Sequence, residues 1–207
     1  ALATPAKEAP WLPEAAAYRL TLHYGNLAPV PWEKIADAWS EPYRGGEFRE
    51  GAFDRIAEDS VLSTEAVAAA IADQDRQALF AASTRLLASR IGEELDRALA
   101  ATSPSAAQAA VSEAQELYRA FADHVRATDP EAARKIGLAW LELSSATGSS
   151  GMLGAGVAPR DEARMMSASK VIRDYLAANY LPDDFDRRAR LSAAPETLVA
   201  AGTAPDI

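Results

Sequence analysis

From Ser63 to about Thr147 three amphipathic patterns follow one another, separated only by short breaks marked by proline. Leu62-Ser63-Thr64-Glu65 supplies a hydroxyl able to accept an orphan backbone N–H, and an acid in the first turn where the helix dipole favours it. Val67, Ile71, Leu79, Leu86, Leu87, Ile91, Leu95 and Leu99 then recur mostly at three, four or seven, which lays one apolar stripe along a helix. The odd gap at Asp73-Gln74-Asp75 leaves room for a kink or a short break between two helices. Thr102-Ser103-Pro104-Ser105 stops the run, because the residue before a proline is pushed out of helical geometry.

The second pattern, Ala106 to about Ala127, carries Val111, Ala114, Tyr118, Phe121 and Val125 on one face. Thr128-Asp129-Pro130-Glu131 ends it and starts the third, with Asp129 as N-cap and Pro130 at the first helical position, where its missing N–H costs nothing. Ile136, Ala139, Trp140 and Leu143 give that helix its stripe. Connections this short force neighbouring helices antiparallel, so the three are expected to form the centre of an up-down bundle.

The flanks extend this reading. Alanine is abundant and strand-favouring residues are sparse, so the fold class is all-α: an irregular up-down helical bundle of about five or six helices. The 207 residues suffice for one sizeable core, assigned to 14–181, between an extended N-terminal arm (1–13) and a C-terminal tail (182–207). Glu14 to Tyr24 is ambiguous, since Tyr18, Leu20, Leu22 and Tyr24 alternate as in a half-buried strand; helix is the choice in this context. Short helices are expected over Trp32–Trp39 and from Glu47 to Asp59, and a last long one from Asp161 to about Tyr180.

A net charge of −9, with no clustering of arginines on one face, argues against a nucleic-acid partner. The absence of cysteine excludes disulfides and thiolate chemistry. Ala1-Leu2-Ala3 matches the small-residue pattern preceding a signal-peptidase cut, which competes with a chance Ala-rich start; export to a bacterial periplasm is the favoured expectation. No apolar run reaches the roughly 18 residues a membrane-spanning helix needs.

Three groups of residues are candidates for function. Glu47, Glu50, Asp54 and Glu58 fall three, four and four apart and would line one helix edge with carboxylates, which suit a divalent metal as cofactor; a solvated face partly neutralised by Arg49 and Arg55 is the bland alternative. His124, on the flank of the Leu117 and Phe121 face, is a further metal candidate if it converges with an acid such as Glu93 or Glu94. Trp32, Trp39 and Tyr43 belong to an aromatic-rich N-terminal region able to line a pocket or an interface with another periplasmic or membrane protein. Gly151, Met152, Gly154 and Gly156 lie in a segment without charge that reads as a packed crossover or as a ligand- or partner-facing loop. It lacks the Lys-Ser/Thr ending of a phosphate-binding loop, and no Gly-x-Ser-x-Gly elbow supports nucleophilic catalysis anywhere in the chain.

Thr84 to Ala100 (TRLLASRIGEELDRALA) and Tyr118 to Leu143 (YRAFADHVRATDPEAARKIGLAWLEL) resemble the water-soluble helical regions attached to bacterial Ftr-type iron permeases. That family carries Arg-Glu-x-x-Glu in its membrane helices. Arg49-Glu50-Gly51-Ala52-Phe53 has the first two residues and lacks the second glutamate, so the permease activity and its ligands are not implied. The resemblance implies an exported helical module associated with metal uptake. The expected function is therefore a non-enzymatic periplasmic binding or accessory protein; the alternative is a protein–protein interaction module without a small ligand.

Overall fold

A computed structural model describes residues 10–41, 51–148 and 159–181. Among them the chain forms nine α-helices and no strand: α1 (Pro13–Gly25), α2 (Trp32–Ser40), α3 (Ala52–Asp59), α4 (Glu65–Ala72), α5 (Arg76–Ala100), α6 (Pro104–Arg119), α7 (Ala122–Thr128), α8 (Pro130–Ala146) and α9 (Glu162–Tyr180). The all-helical expectation holds. The expected five or six is too low, because the short N-terminal segments each form a helix of their own and two of the long patterns are each divided.

The causes of the two divisions differ. Between α4 and α5, Gln74 adopts a left-handed conformation (φ 54°) and the Asp75 carboxylate accepts the Ala78 N–H at 3.0 Å, so a local cap restarts the helix. Between α6 and α7 there is no glycine or proline. Phe121 instead leaves helical geometry (φ −125°, ψ 10°) and buries its ring edge-on to Tyr18, Tyr118 and Tyr180. Tertiary burial overrides local propensity there.

The core is a ring of four helices, in which α5 packs on α6, α6 on α8, α8 on α9, and α9 back on α5. Cross-helix contacts fix the directions. Gln108 donates to the Gly148 carbonyl, Gln115 to the Ser144 hydroxyl, and the Tyr118 ring meets Trp140, so α8 runs antiparallel to α6. Arg173 pairs with Asp96 while Arg160 reaches the last turn of α5, so α9 runs antiparallel to α5. Leu87, Ile91, Leu95, Leu117, Ile136, Leu143, Met165 and Ile172 fill the interior.

Two helix starts are capped at the boundaries the sequence pattern marks. Asp129 caps α8 by accepting the Ala132 N–H at 2.9 Å, with Pro130 in the first turn, and Asp161 caps α9 through Arg164 N–H at 3.0 Å. Arg160 donates to the carbonyls of Ala98, Leu99 and Ala101, satisfying acceptors that the C-terminus of α5 leaves without an intrahelical donor.

The remaining helices form a layer beside this ring. The ambiguous segment from Glu14 is helical, as chosen: α1 lies along α5 and touches α6, α2 and α3 pack on α1, and α4 packs on α5 and α2. The Phe80 ring of α5 packs directly over Gly25 of α1, where a Cβ would sit 2.7 Å from it. Trp39 is fully buried, stacked on Phe53 at 5.5 Å and donating its indole N–H to Thr21 at 2.9 Å.

Candidate functional site

The contact between α1 and α5 is antiparallel and changes character along its length. Glu14 meets Arg90, one turn later Tyr18 meets Thr84 at 2.9 Å, and Gly25 meets Phe80. One end is an ionic junction closed to solvent; the other opens into a cleft.

At the closed end Glu14, Arg90 and Glu94 are all fully buried. The Arg90 guanidinium is shared, with Nη1 2.8 Å from Glu93 Oε2, Nη2 3.3 Å from Glu94 Oε1 and Nε 3.6 Å from Glu14 Oε1. Arg55 of α3 bridges outward, with Nε 3.9 Å from Glu14 and Nη2 3.0 Å from Glu113 on α6. Arg97 approaches the other oxygen of Glu94 at 3.1 Å, and Ser60 donates to Glu93 at 2.7 Å. The oxygens of Glu14 and Glu94 lie within ion-pair reach of arginine but receive no hydrogen bond.

Burial drives the Glu94 carboxyl up to about 7, with Arg97 opposing the rise, Glu113 adding to it, and Arg90 and Arg55 opposing. Within the junction, which ties α1, α3, α5 and α6 together, Glu94 is thus held toward its protonated form. Among the described residues no three His, Asp or Glu side chains are arranged to hold a metal ion.

At the open end a cleft of about 780 Å³ is walled by residues of α1, α4, α5, α7 and α9, prominently Tyr18, Leu22, Phe80, Thr84, His124 and Tyr180. Its walls are mainly apolar, with a few polar tips, and its volume falls in the range of small-molecule pockets, about 300–1,000 Å³. Burial raises the phenol pKa of Tyr18 against a smaller opposing effect of its bond to Thr84, and burial together with nearby Tyr175 raises that of Tyr180. Both hydroxyls therefore stay protonated at neutral pH. Among the described residues no carboxylate lines the cleft, and the charged side chain in its wall is Arg85.

Four of the sequence-derived candidates, Trp32, Trp39, Asp54 and His124, fall among the described residues. His124 is exposed on α7 and reaches the cleft wall, whereas Asp54 is exposed on α3, a helix that does not touch α7. Trp32 is half-buried at the start of α2, and Trp39 has both its ring and its N–H engaged inside the fold. Tyr43, Glu47, Glu50, Gly151, Met152, Gly154 and Gly156 lie outside the described residues.

Sequence reasoning passed over Glu14 and Arg90 altogether and named Glu94 only as a metal partner for His124. A signal existed for two of the three: Leu87, Arg90, Ile91, Glu94, Leu95 and Ala98 follow the spacing of one buried helix face, so both charges sit inside the apolar stripe. No family model, curated protein or solved structure matches the chain.

Proposed function

We propose that this chain is a non-enzymatic binding or accessory protein that holds a small, predominantly apolar molecule in the cleft between α1, α5 and α9. The observation that supports the reading is the cleft itself: aromatic and aliphatic walls, two hydroxyl tips whose phenols stay protonated, and a volume suited to a small ligand. Rings of Phe80 and Tyr180 supply apolar area, and the hydroxyl groups and Asn179 give orientation. Metal uptake is not carried into this proposal, because Asp54 and His124 stand on helices that do not touch. Periplasmic placement remains part of it and is checked by fractionating cells that express the full reading frame.

The test is fluorescence titration with the neutral apolar probe N-phenyl-1-naphthylamine, in the native chain and in Ala81→Trp. Ala81 is exposed and lines the cleft, so the substitution places an indole in the cleft wall and obstructs it without entering the core. Saturable binding lost in Ala81→Trp supports the reading. Absence of saturable binding, or binding indifferent to the substitution, removes it.

A further inference from the structure

A second concavity, of about 530 Å³, lies between α6, α7 and α8 and shares no lining residue with the first. Tyr118, Trp140, Leu141 and Pro130 give it apolar walls. Gly137 borders open space, since a Cβ at that position would meet nothing within 4 Å. Leu141 is 70% exposed, and its neighbour Leu138 is also exposed, so the apolar surface continues out of the pocket along α8.

The charge of this pocket runs against that of the chain. Thirty acidic residues outnumber twenty-one basic ones overall, yet every charged side chain in the lining is an arginine: Arg119 from α6, Arg126 from α7 and Arg134 from α8. Nearby acids are engaged elsewhere or in part. Glu116 pairs at 2.6 Å with Arg19 and only at 3.5 Å with Arg119, Asp123 pairs with Arg126 at 2.6 Å, and Glu131 pairs with Lys135 at 2.8 Å.

Arg134 makes no hydrogen bond or ion pair among the described residues. Glu131 feels the Arg134 charge but directs its carboxylate to Lys135, so the Arg134 guanidinium keeps its donors unengaged, and these paired donors match a carboxylate. The wall also includes the indole of Trp140, 6% exposed, whose buried N–H has no acceptor and is the kind of donor a buried site leaves unfilled only at a cost.

We propose that this pocket is a second binding site, specific for an apolar small molecule carrying a single carboxylate. The apolar body lies against Tyr118, Trp140 and Leu141, and the carboxylate is held at Arg134, flanked by Arg119 and Arg126. A single negative charge is selected because two of the three arginines already have acidic partners. A dianion would gain little from them, and a neutral molecule would leave Arg134 unanswered.

Octanoate and 1-octanol, equal in length and different in charge, test the proposal against the full chain. The probe is the ¹H–¹⁵N signal of the Trp140 indole, assigned by its loss in Trp140→Phe. Octanoate is expected to shift this signal saturably and to bind about tenfold more tightly than 1-octanol. Arg134→Gln, an exposed substitution, should remove most of that tenfold preference and leave 1-octanol unchanged. The octanoate response should persist in Ala81→Trp, where the first cleft is obstructed. Equal affinity for the two probes, no saturable shift, a preference that survives Arg134→Gln, or a response lost in Ala81→Trp would each overturn the assignment.

Discussion

At its first turn α1 buries Glu14 against Arg90 and Glu94; one turn later it sets Tyr18 against Thr84 beside an open cleft. Both contacts involve polar atoms on the same two helices, yet they differ in how much depends on them. At the closed end, charges have left water, and carboxylate oxygens that receive no hydrogen bond depend on arginine alone for compensation. At the open end the Tyr18 and Thr84 hydroxyls are neutral, so breaking the bond between them strands no charge. The fold thus places its unforgiving chemistry where four helices are tied together and its forgiving chemistry where the cleft opens.

Arg90→Met is the most severe way to break this contrast. It leaves Glu14 and Glu94 buried with their shared cation gone, and the expected loss is about 3–5 kcal/mol in urea denaturation. A loss below about 1 kcal/mol would mean that water or a proton compensates the carboxylates freely, and the closed end would then be no different from a surface pair.

A smaller effect is expected from Glu94→Gln, and its sign depends on pH. The folded-state pKa of about 7 lies above the ordinary 4.5, so the folded chain binds this proton more tightly than the unfolded chain does. The resulting stabilisation is fully present below pH 4.5 and is lost as pH rises through 7. Native protein should therefore lose stability across that window relative to Glu94→Gln, and the variant should be the more stable of the two at pH 8. Parallel stability curves for the two proteins would show that Glu94 titrates as an ordinary carboxylate.

Local signals announced some of these elements and were silent on others. Asp129-Pro130 marked the start of α8 because a cap and a missing N–H act within one turn. Arg90 and Glu94 could have been placed inside by stripe position alone. Glu14 could not, since its partner lies on another helix and nothing near Pro13 distinguishes a buried acid from an ordinary first-turn acid. The division at Phe121 was equally hidden, because its cause is the rings of Tyr18 and Tyr180, remote in sequence. The cleft is a product of five helices meeting, so Tyr18, Thr84 and Tyr180 carry no common pattern.

Tyr18→Phe is the mildest probe, and its expected effect follows from where one proton goes. Thr84 donates its hydroxyl proton to the Phe80 carbonyl at 2.8 Å, so in the contact with Tyr18 it accepts and the phenol donates. Removing the phenol oxygen leaves Thr84 still bonded to the backbone and leaves no charge behind, so the cost should stay within about 0.5–1 kcal/mol. Affinity for N-phenyl-1-naphthylamine should hold or rise, because the wall loses a polar tip and keeps its ring. A loss approaching that of Arg90→Met would show that the aromatic end also fixes the α1–α5 register, and that the two ends differ in chemistry without differing in what they hold together.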